Sequence, residues 1–425
     1  MAHLYKTETG RMFHAGAICL VPVGLPARGK TFMSSKVGRY LRWLGVKTRV
    51  FNVGDYRRKM FGVTPGHEIF NPGDANAMTV RNAAGDAAFD EMLQFFKDGG
   101  QVGIYDHTLT IMRSKREEIA EKLAHSNVQV IFVEMICDNQ SVIESNIREV
   151  KLSLPDYKDW DEAKAVDDFM KRINHHLPYY ETISDPALSY VQVMNLGMDA
   201  TVGEHIVANN VKGYLQTRIV FFLMNLHISR RTVYLLRNAE SISDQTFKDD
   251  APLSPVGIQY AQRVHDFMVS HRKQSHAEAA YPKIFTSTRQ RSFQTAQFFP
   301  AHLVTEKPAL VQLNPGAAET LTDAEMLTRY PDEHHKHQQD PFNHRYPRAE
   351  SYHDLALRME HVILEVEGEK GDVLVIAHET VLQCLYAYLK DLGDKLIPKI
   401  EIPFGTLIEL VPSAYGTSET RHEIP

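Results

Sequence analysis

The most constraining feature of this 425-residue sequence is a glycine-rich segment near its N-terminus. Residues Ala17–Val23 are apolar and predict a buried strand. Gly24–Thr31 (GLPARGKT) follows at once and fits the pattern G-x-x-x-x-G-K-[ST]. Val37, Leu41 and Leu44 then repeat at helical spacing. A strand, a glycine-rich loop and an amphipathic helix in this order predict the start of a parallel α/β sheet.

The parts of the Gly24–Thr31 segment suit the binding of nucleotide phosphates. Its two glycines allow backbone torsions that direct several N–H groups at phosphate oxygens, and the positive end of the following helix faces the same anion. Lys30 can neutralise the phosphates, and Thr31 can supply a hydroxyl ligand to Mg²⁺. Asp106 ends an apolar strand, where a carboxylate would approach Mg²⁺ through water; a turn or N-cap aspartate is the alternative. The sequence thus predicts a site for ATP and Mg²⁺.

Strands and helices alternate along both halves of the chain. The first half has predicted strands at Thr48–Val53, Gln101–Asp106 and Val128–Glu134 and predicted helices at Asp86–Lys97 and Arg113–Ala124. The second has predicted strands at Thr232–Leu236, Lys283–Thr286 and Asp372–Ala377 and predicted helices at Pro255–Ser270 and Gln290–Phe299. Because one core rarely exceeds about 250–300 residues, we expect two domains, 1–228 and 229–425.

Two polar stretches do not fit this alternation. The histidine-rich stretch His334–Asp340 is predicted to be a solvated loop rather than a metal site, and the end after Pro412 is predicted to be loose.

Composition argues against several classes of partner. The formal net charge of −6 disfavours nucleic acid and anionic membrane surfaces. The three cysteines, Cys19, Cys137 and Cys384, are too few and too far apart for a disulfide framework. The N-terminus lacks the apolar stretch of a signal peptide, and no apolar run is long enough to span a bilayer. We therefore expect a cytoplasmic protein without nucleic-acid or membrane partners.

Several longer motifs carry a resemblance to a known family. They are Val23–Thr31, Phe51–Arg58 (FNVGDYRR), Glu149–Ser153 (EVKLS), Pro155–Tyr157 (PDY), Asp167–Ile173 (DDFMKRI), Arg345–Pro347 (RYP) and Pro412–Gly416 (PSAYG). In this order, over nearly the whole chain, they resemble the 6-phosphofructo-2-kinase/fructose-2,6-bisphosphatase family. The resemblance implies an N-terminal P-loop kinase domain with a mainly parallel sheet and a C-terminal phosphoglycerate-mutase-like (histidine phosphatase) α/β domain. It also implies ATP-dependent phosphorylation of fructose 6-phosphate at the 2-hydroxyl and, for many members, a homodimer.

The resemblance also implies roles for individual residues. The catalytic group is Lys30, Thr31, Asp106 and Lys151, with Thr31 and Asp106 holding Mg²⁺. ATP would be bound by Gly24, Leu25, Pro26, Ala27, Arg28, Gly29, Lys30, Thr31 and Lys151. Fructose 6-phosphate would be bound by Arg57, Arg58, Arg81, Thr108, Arg172 and Tyr180. Leu109 and His176 depart from the family, which has Asn and Tyr at these positions.

The second half departs further from the family. Where the family has R-H-G-E with a nucleophilic His, this chain has Arg237-Asn238-Ala239-Glu240. An amide nitrogen has its lone pair delocalised into the carbonyl, so Asn238 should not form a phosphohistidine-like intermediate. Glu379 and Gln383 also replace family residues that favour phosphate.

The resulting prediction is a degenerate phosphatase site that retains Arg237, Glu240, Arg291, Glu319 and His378 beside Asn238, and a protein that acts as a kinase only. Two alternatives stay open: weak residual bisphosphatase activity, and a catalytically poor paralogue that binds nucleotide or sugar phosphate and acts by association.

Overall fold

The computed structural model describes residues 16–63, 66–157, 160–195, 205–227, 231–243, 247, 249–274 and 281–424, without the side chains of 149–153 and 155. The chain divides into two compact units, Met1–Ile228 with Ser413–Tyr415, and Ser229–Pro412 with Gly416–Pro425. Each unit contains a six-stranded sheet. No helix in the described part of the chain is both long and apolar enough to cross a membrane.

The sheet of the first unit has the strand order β2-β3-β1-β4-β5-β6. Its strands are β1 (Ala17–Val23), β2 (Thr48–Asn52), β3 (Val102–Asp106), β4 (Val128–Ile136), β5 (Tyr190–Met194) and β6 (His205–Asn209). All neighbouring pairs are parallel except β5 and β6. The apolar residues of β1 face a core that includes Phe51, Phe89 and Phe132, which explains why β1 has no polar alternation.

The helices of the first unit are α1 (Lys30–Trp43), α2 (Val53–Phe61), α3 (Ala75–Lys97), α4 (Arg113–His125), α5 (Gln140–Ser153), α6 (Glu162–His176) and α7 (Tyr214–Met224). Short 3₁₀ turns lie at Glu68–Phe70, Thr108–Ile111, Pro155–Tyr157 and Leu177–Tyr179.

Strand register brings polar residues to one edge of this sheet. Asn52 at the end of β2 is paired with Asp106 at the end of β3, and Val23 at the end of β1 is paired with Glu134 in β4. The glycine-rich loop follows Val23 directly. Ligand sites of open α/β sheets lie outside the carboxyl ends of the strands, and this edge is where such a site is expected.

The sheet of the second unit has the order β12-β11-β7-β10-β8-β9. Its strands are β7 (Val233–Arg237), β8 (Lys283–Ser287), β9 (Val304–Lys307), β10 (Val373–Ala377), β11 (Thr406–Ser413) and β12 (Gly416–Glu423). Strands β7 to β10 are parallel, and β11 is antiparallel to β7. Arg237 is paired with Ala377, so Asn238 and His378 each follow a strand at the same sheet edge.

The helices of the second unit are α8 (Pro255–Gln274), α9 (Gln290–Thr295), α10 (Asp323–Arg329), α11 (Pro331–Gln339), α12 (Tyr352–Arg358), α13 (Glu360–Gly368) and α14 (Glu379–Leu389). Short 3₁₀ turns lie at Ala301–Leu303, Pro308–Leu310, Gly316–Ala318 and Asp394–Lys399. Apolar residues of α8, including Val264 and Met268, pack on Tyr234, Leu236 and Leu374 of the sheet.

The predicted fold class is confirmed, and two local predictions are wrong. The stretch predicted as a loop at His334–Asp340 lies mostly within helix α11, which has Pro331 at its first position, acidic residues in its first turn and basic residues in its last. These features stabilise a helix that has almost no apolar face. The end after Pro412, predicted to be loose, contains strand β12 beside β11.

Candidate functional site

The loop between β1 and α1 has the tight backbone that its glycines allow. Gly24 has φ of 132°, and a Cβ at this position would lie 2.5 Å from the carbonyl oxygen of Met135. Gly29 has φ of 79° and immediately precedes α1. Asn146 donates from its side-chain amide to the carbonyl of Ala27 at 2.9 Å. The loop is therefore held closely against the sheet edge, with the helix N-terminus behind it.

Two buried cations lie within this loop. Arg28 donates from Nε to the carbonyl oxygen of Cys137 (2.8 Å) and from Nη1 to that of Pro26 (3.0 Å). Lys30 donates from Nζ to the carbonyl oxygens of Gly24 (2.6 Å) and Leu25 (2.7 Å). Burial lowers the pKa of Lys30 to about 7, and Asp106 opposes that shift. Because carbonyls neutralise no charge, the ammonium of Lys30 can be stabilised further by an anion.

Asp106 is the centre of a small polar cluster at the ends of β2 and β3. Its Oδ2 accepts hydrogen bonds from Thr31 Oγ1 and Asn52 Nδ2, both at 2.8 Å. Burial raises the pKa of Asp106, and Lys30 and the two hydrogen bonds oppose this. A hydroxyl and a carboxylate are hard oxygen donors of the kind that Mg²⁺ prefers, so Thr31 and Asp106 fit the ion. Asn52 belongs to a motif that carries the resemblance, but no role was predicted for it.

Three predicted substrate residues surround the ring of Phe70 and are called the arginine cluster below: Arg57, Arg81 and Arg172. The guanidinium carbon of Arg172 lies 3.6 Å from the ring centroid, that of Arg57 5.0 Å and that of Arg81 5.9 Å. Stacking on an aromatic face is characteristic of arginine. Phe70 has no sequence signal for this role, because it lies in a single 3₁₀ turn.

The arginine cluster concentrates positive charge in a buried place. Burial first, and then the charges of Arg172 and Arg57, lower the pKa of Arg81 to about 9. Arg57 Nε and Nη1 and Arg172 Nε are buried and have no hydrogen-bond partner among the described residues. Arg172 also contributes to the lowered pKa of Lys30, so the arginine cluster and the glycine-rich loop share one electrostatic environment. Such a group favours a bound dianion such as a phosphate monoester.

Asp156 partly neutralises this region. Arg57 Nη2 donates to both of its carboxylate oxygens, at 2.8 and 2.7 Å, and Arg58 Nη1 donates to Oδ2 at 2.9 Å. Arg58 also forms an ion pair with Asp55 on the same helix. Arg58 is thus tied to two carboxylates, while Arg57 keeps two donor nitrogens for another acceptor. Asp156 lies in the Pro155–Tyr157 motif, but the sequence did not predict its pairing.

His176 supports Arg81 from the end of α6. Its Nδ1 lies 2.7 Å from the carbonyl oxygen of Arg172, and its Nε2 lies 3.1 Å from Arg81 Nη2. Because Nδ1 donates to a carbonyl, Nε2 accepts from the guanidinium. Burial and the nearby Arg81 lower the pKa of His176 to about 2, which fits this neutral tautomer. Arg81 Nη2 also donates to Thr108 Oγ1 at 2.8 Å.

The other predicted residues of this site have different surroundings. Tyr180 donates to Oε1 of the buried Glu134 at 2.7 Å. Glu134 also accepts from Thr182, Ile183 and Gln192, so Tyr180 belongs to a hydrogen-bonded network around a carboxylate rather than to the arginine cluster. Lys151 lies in α5, and its side chain is outside the described part of the structure.

The predicted phosphatase residues meet at the ends of β7 and β10. Asn238 is buried, and its Nδ2 donates to the carbonyl oxygen of Ala239 at 3.0 Å. His378 is buried with Nε2 3.0 Å from Ser287 Oγ. Burial, followed by the charges of four arginines, lowers its pKa to about 3; these are Arg291, Arg289, Arg358 and Arg237. Burial and four nearby arginines, two of which are paired with carboxylates, therefore disfavour the charged form of His378.

Several cations and carboxylates of this second site already have protein partners. Arg237 forms an ion pair with Glu379 at 3.1 Å and lies 3.6 Å from the ring centroid of Phe404. Arg291 donates to the side chain of Gln312, and Glu319 accepts from the backbone N–H of Phe247.

Gln383 and Ala239 are buried, whereas Glu240 is exposed. Gln383 accepts from Tyr352 and donates to the carbonyl of Ile400, both at 2.7 Å. The methyl group of Ala239 packs with Leu253 and Ala261.

Two different protein families match the two halves of the chain. The 6-phosphofructo-2-kinase family matches residues 5–230. The histidine phosphatase superfamily (branch 1) matches residues 233–424. The glycine-rich loop and the arginine cluster lie within the first match, and Asn238 and His378 lie within the second.

Curated relatives match both halves together. The chain is 38% identical to 6-phosphofructo-2-kinase/fructose-2,6-bisphosphatase 3 of Rattus norvegicus over 404 residues, which is 93% of this chain and 70% of the relative. A Gallus gallus protein, 6-phosphofructo-2-kinase/fructose-2,6-bisphosphatase, is 38% identical over 403 residues (93% and 83%). A Saccharomyces cerevisiae protein named "Putative 6-phosphofructo-2-kinase/fructose-2,6-bisphosphatase" is 35% identical over an alignment of 445 positions (99% of this chain and 86% of the relative). This chain belongs to the 6-phosphofructo-2-kinase/fructose-2,6-bisphosphatase family.

Proposed function

We propose that this protein transfers the γ-phosphoryl group of ATP to the 2-hydroxyl of fructose 6-phosphate and does not hydrolyse the fructose 2,6-bisphosphate that forms. The observation that carries the kinase proposal is the arginine cluster. The guanidiniums of the buried Arg57 and Arg81 and of the half-buried Arg172 lie around Phe70, and donor nitrogens of Arg57 and Arg172 lack protein partners among the described residues. A sugar 6-phosphate supplies the dianion that such a cluster needs.

In this proposal the chain works by positioning and charge neutralisation. The Gly24–Thr31 backbone and Lys30 bind the nucleotide phosphates, and the arginine cluster orients the sugar through its 6-phosphate. Thr31 and Asp106 would hold Mg²⁺, which when bound would neutralise charge on the phosphates. A bond forms between the sugar 2-oxygen and the γ-phosphorus as the bond to ADP breaks, and the hydroxyl proton passes to the transferred phosphoryl group or to water. Phosphoryl transfer depends more on this alignment than on a strong base. The residues assigned above bind and neutralise phosphates, as such a mechanism requires.

The direct test of the proposal compares phosphoryl acceptors. Purified protein with Mg²⁺ and labelled ATP should phosphorylate fructose 6-phosphate to an acid-labile product. It should not phosphorylate a fructose 6-phosphate analogue that lacks the 2-hydroxyl, although that analogue should bind and inhibit. Equal labelling of both compounds would place the transfer at another hydroxyl and contradict the proposal.

ATP binding is expected to be accompanied by proton uptake. The pKa of Lys30 is lowered to about 7, so its amine is mostly neutral at about pH 8, whereas nearby phosphates favour the ammonium and raise that pKa. Affinity for MgATP should therefore fall as pH rises from about 7 towards the pKa of the complex. Calorimetry in buffers of different ionisation enthalpy should detect this uptake in the native chain and not in Lys30→Met. Equal uptake in both proteins would assign the proton to another group.

The second unit is proposed to be inactive as a bisphosphatase. Asn238 cannot form the phosphohistidine that a histidine at this position would form. His378 and the surrounding arginines retain positive potential, so the site can still attract phosphate without a nucleophile. A weak hydrolysis through water is the alternative, and it would appear as slow phosphate release that persists in Asn238→Ala.

Restoring the histidine alone is expected to recover little hydrolysis. In Asn238→His, Glu379 still pairs with Arg237 and Gln383 is still bonded to Tyr352 and Ile400. Since removal of one electrostatic contact typically costs about 10²–10³ in rate, activity should stay below about one hundredth of that of a relative with an intact R-H-G-E motif. Phosphate release from fructose 2,6-bisphosphate measures this, with Asn238→Gln as the control. Full recovery in the single variant would show that Glu379 and Gln383 are compatible with catalysis.

A further inference from the structure

We propose that His271, Glu409 and His422 form a binding site for one divalent transition-metal ion, with Zn²⁺ as the preferred ion. Each of the three residues offers one donor atom, and these atoms all lie within 4.8 Å of one another. They are close enough for one metal ion to contact all three. The site lies in the second unit and does not depend on the proposed kinase activity.

The two imidazole nitrogens lie near one carboxylate oxygen, at separations close to those that a metal imposes. Nε2 of His271 lies 3.1 Å from Glu409 Oε2, and Nε2 of His422 lies 2.7 Å from the same oxygen. Two donors bound to one tetrahedral Zn²⁺ at about 2.0–2.1 Å are about 3.3 Å apart. Small rotations of the three side chains would therefore let an ion replace these hydrogen bonds. Two imidazoles and one carboxylate suit Zn²⁺, whereas Mg²⁺ and Ca²⁺ prefer oxygen donors alone.

The fold holds the two imidazoles in place. The ring of His271 stacks on that of Phe267, with centroids 5.6 Å apart and an interplanar angle of 9°, and Tyr234 meets it edge-on at 6.2 Å. The ring of His422 lies 5.7 Å from Phe267 and 4.7 Å from His271. Aromatic packing on one helix and one strand fixes both ligands before any ion binds, which reduces the entropic cost of metal binding.

The position of the site in the sheet is unusual for polar residues. Leu407 and Ile424 belong to the apolar cluster beneath α8, and side chains two residues apart on a strand share a face. Glu409 and His422 therefore lie on the same face as this core, at its margin, where apolar side chains would be expected. Their side chains are 19% and 21% exposed, and that of His271 is 19% exposed. An ion can enter from solvent and a water molecule can complete its coordination.

A bound ion would join helix α8 to strands β11 and β12, which follow one another in the chain and lie far from α8 in the sequence. Since the ion binds the folded arrangement only, it should stabilise the second unit in proportion to the logarithm of its concentration. The site is thus inferred to be structural, linking the C-terminal strand to the helix that covers the sheet.

The test is calorimetric titration of the full, metal-free chain with Zn²⁺, together with visible absorption of the Co²⁺-substituted protein. We expect the native chain to bind one equivalent that is lost in the His271→Gln/His422→Gln double variant. Glu409→Gln should lower the affinity for that equivalent at least about 10–100-fold, which is the loss typical when an outer-shell partner alone is removed. Co²⁺ should show the intense visible bands of low coordination in the native chain only, and Zn²⁺ should raise Tm in the native chain only.

Two controls separate this site from other histidines. His302 is exposed in the same unit, and His337 and His344 have neighbouring rings with centroids 5.4 Å apart. Neither His302→Ala nor the His337→Ala/His344→Ala double variant should change the affinity or the stoichiometry of Zn²⁺ binding at His271, Glu409 and His422. If each variant at His271, Glu409 and His422 is folded by circular dichroism and binds Zn²⁺ as the native chain does, the three side chains form a hydrogen-bonded group only and the proposal is wrong.

Discussion

Lys30→Ala is expected to reduce ATP-dependent phosphorylation of fructose 6-phosphate by about 10³-fold or more while the chain remains folded, because charge stabilisation is the main catalytic term in phosphoryl transfer. Lys30 is buried and donates to two loop carbonyls, which are neutral acceptors. Its removal takes a favourable charge away from the buried Asp106, which keeps its hydrogen bonds from Thr31 and Asn52, so we expect a modest loss of stability in a chain that still folds. The turnover number at saturating substrates and the midpoint of thermal unfolding measure the two parts of this prediction.

Lys36 on the same helix provides the matched control. It is also buried, and its Nζ donates to the carbonyl oxygen of His227 at 2.9 Å. Lys36→Met should lower stability, because a buried carbonyl loses a charged donor, and it should leave turnover per folded molecule nearly unchanged. A mild loss of turnover in Lys30→Ala, comparable to that of Lys36→Met, would contradict the assignment of the Gly24–Thr31 loop to the nucleotide.

Arg172→Met is expected to raise KM for fructose 6-phosphate about 100-fold or more, since removing one partner of a buried charge pair costs about 2–5 kcal/mol. Methionine keeps the packing against Phe70 and Phe169 and removes the charge. Burial is the main cause that lowers the pKa of Arg172; Tyr157 opposes this shift, and the charge of Arg57 adds to it. Because the ionised form is disfavoured on balance, the variant should be about as stable as the native chain in the absence of substrate.

This combination distinguishes a substrate residue from a structural one. A structural arginine would lose stability on substitution, whereas an arginine held for a ligand loses affinity and keeps stability. Arg113→Met is the control, because Arg113 is exposed on α4 and pairs with the exposed Glu117 one turn further along that helix. An unchanged KM for fructose 6-phosphate in Arg172→Met would remove the arginine cluster from the substrate site.

Local sequence patterns were sufficient for the elements that surround the glycine-rich loop. Strand β1 lies at the predicted residues Ala17–Val23, and α1 begins at Lys30. Both are indicated by patterns within about ten residues, namely a continuous apolar run and two glycines. Helix α11 and strand β12 were missed because the first is stabilised by its end residues and the second by pairing with β11, and neither has an apolar periodicity.

Parts of the candidate site could not be predicted for a related reason. Phe70, Asp156 and His176 come from three separate segments, and their roles exist only once α2, α3 and α6 have packed together. The resemblance named Arg57, Arg81 and Arg172, but it gave no indication that an aromatic ring would hold all three. The group of His271, Glu409 and His422 had no sequence signal, because its residues are spread over 152 positions of the chain.

The most direct test of the central claim follows the fate of the product. Purified protein is incubated with ATP, Mg²⁺ and fructose 6-phosphate, and the acid-labile 2-phosphorylated sugar is measured until ATP is exhausted and for a long period afterwards. The account predicts that fructose 2,6-bisphosphate accumulates and then stays constant. A steady decline after ATP is exhausted would show a working bisphosphatase despite Asn238, and the absence of product from folded protein that binds ATP would contradict the kinase assignment.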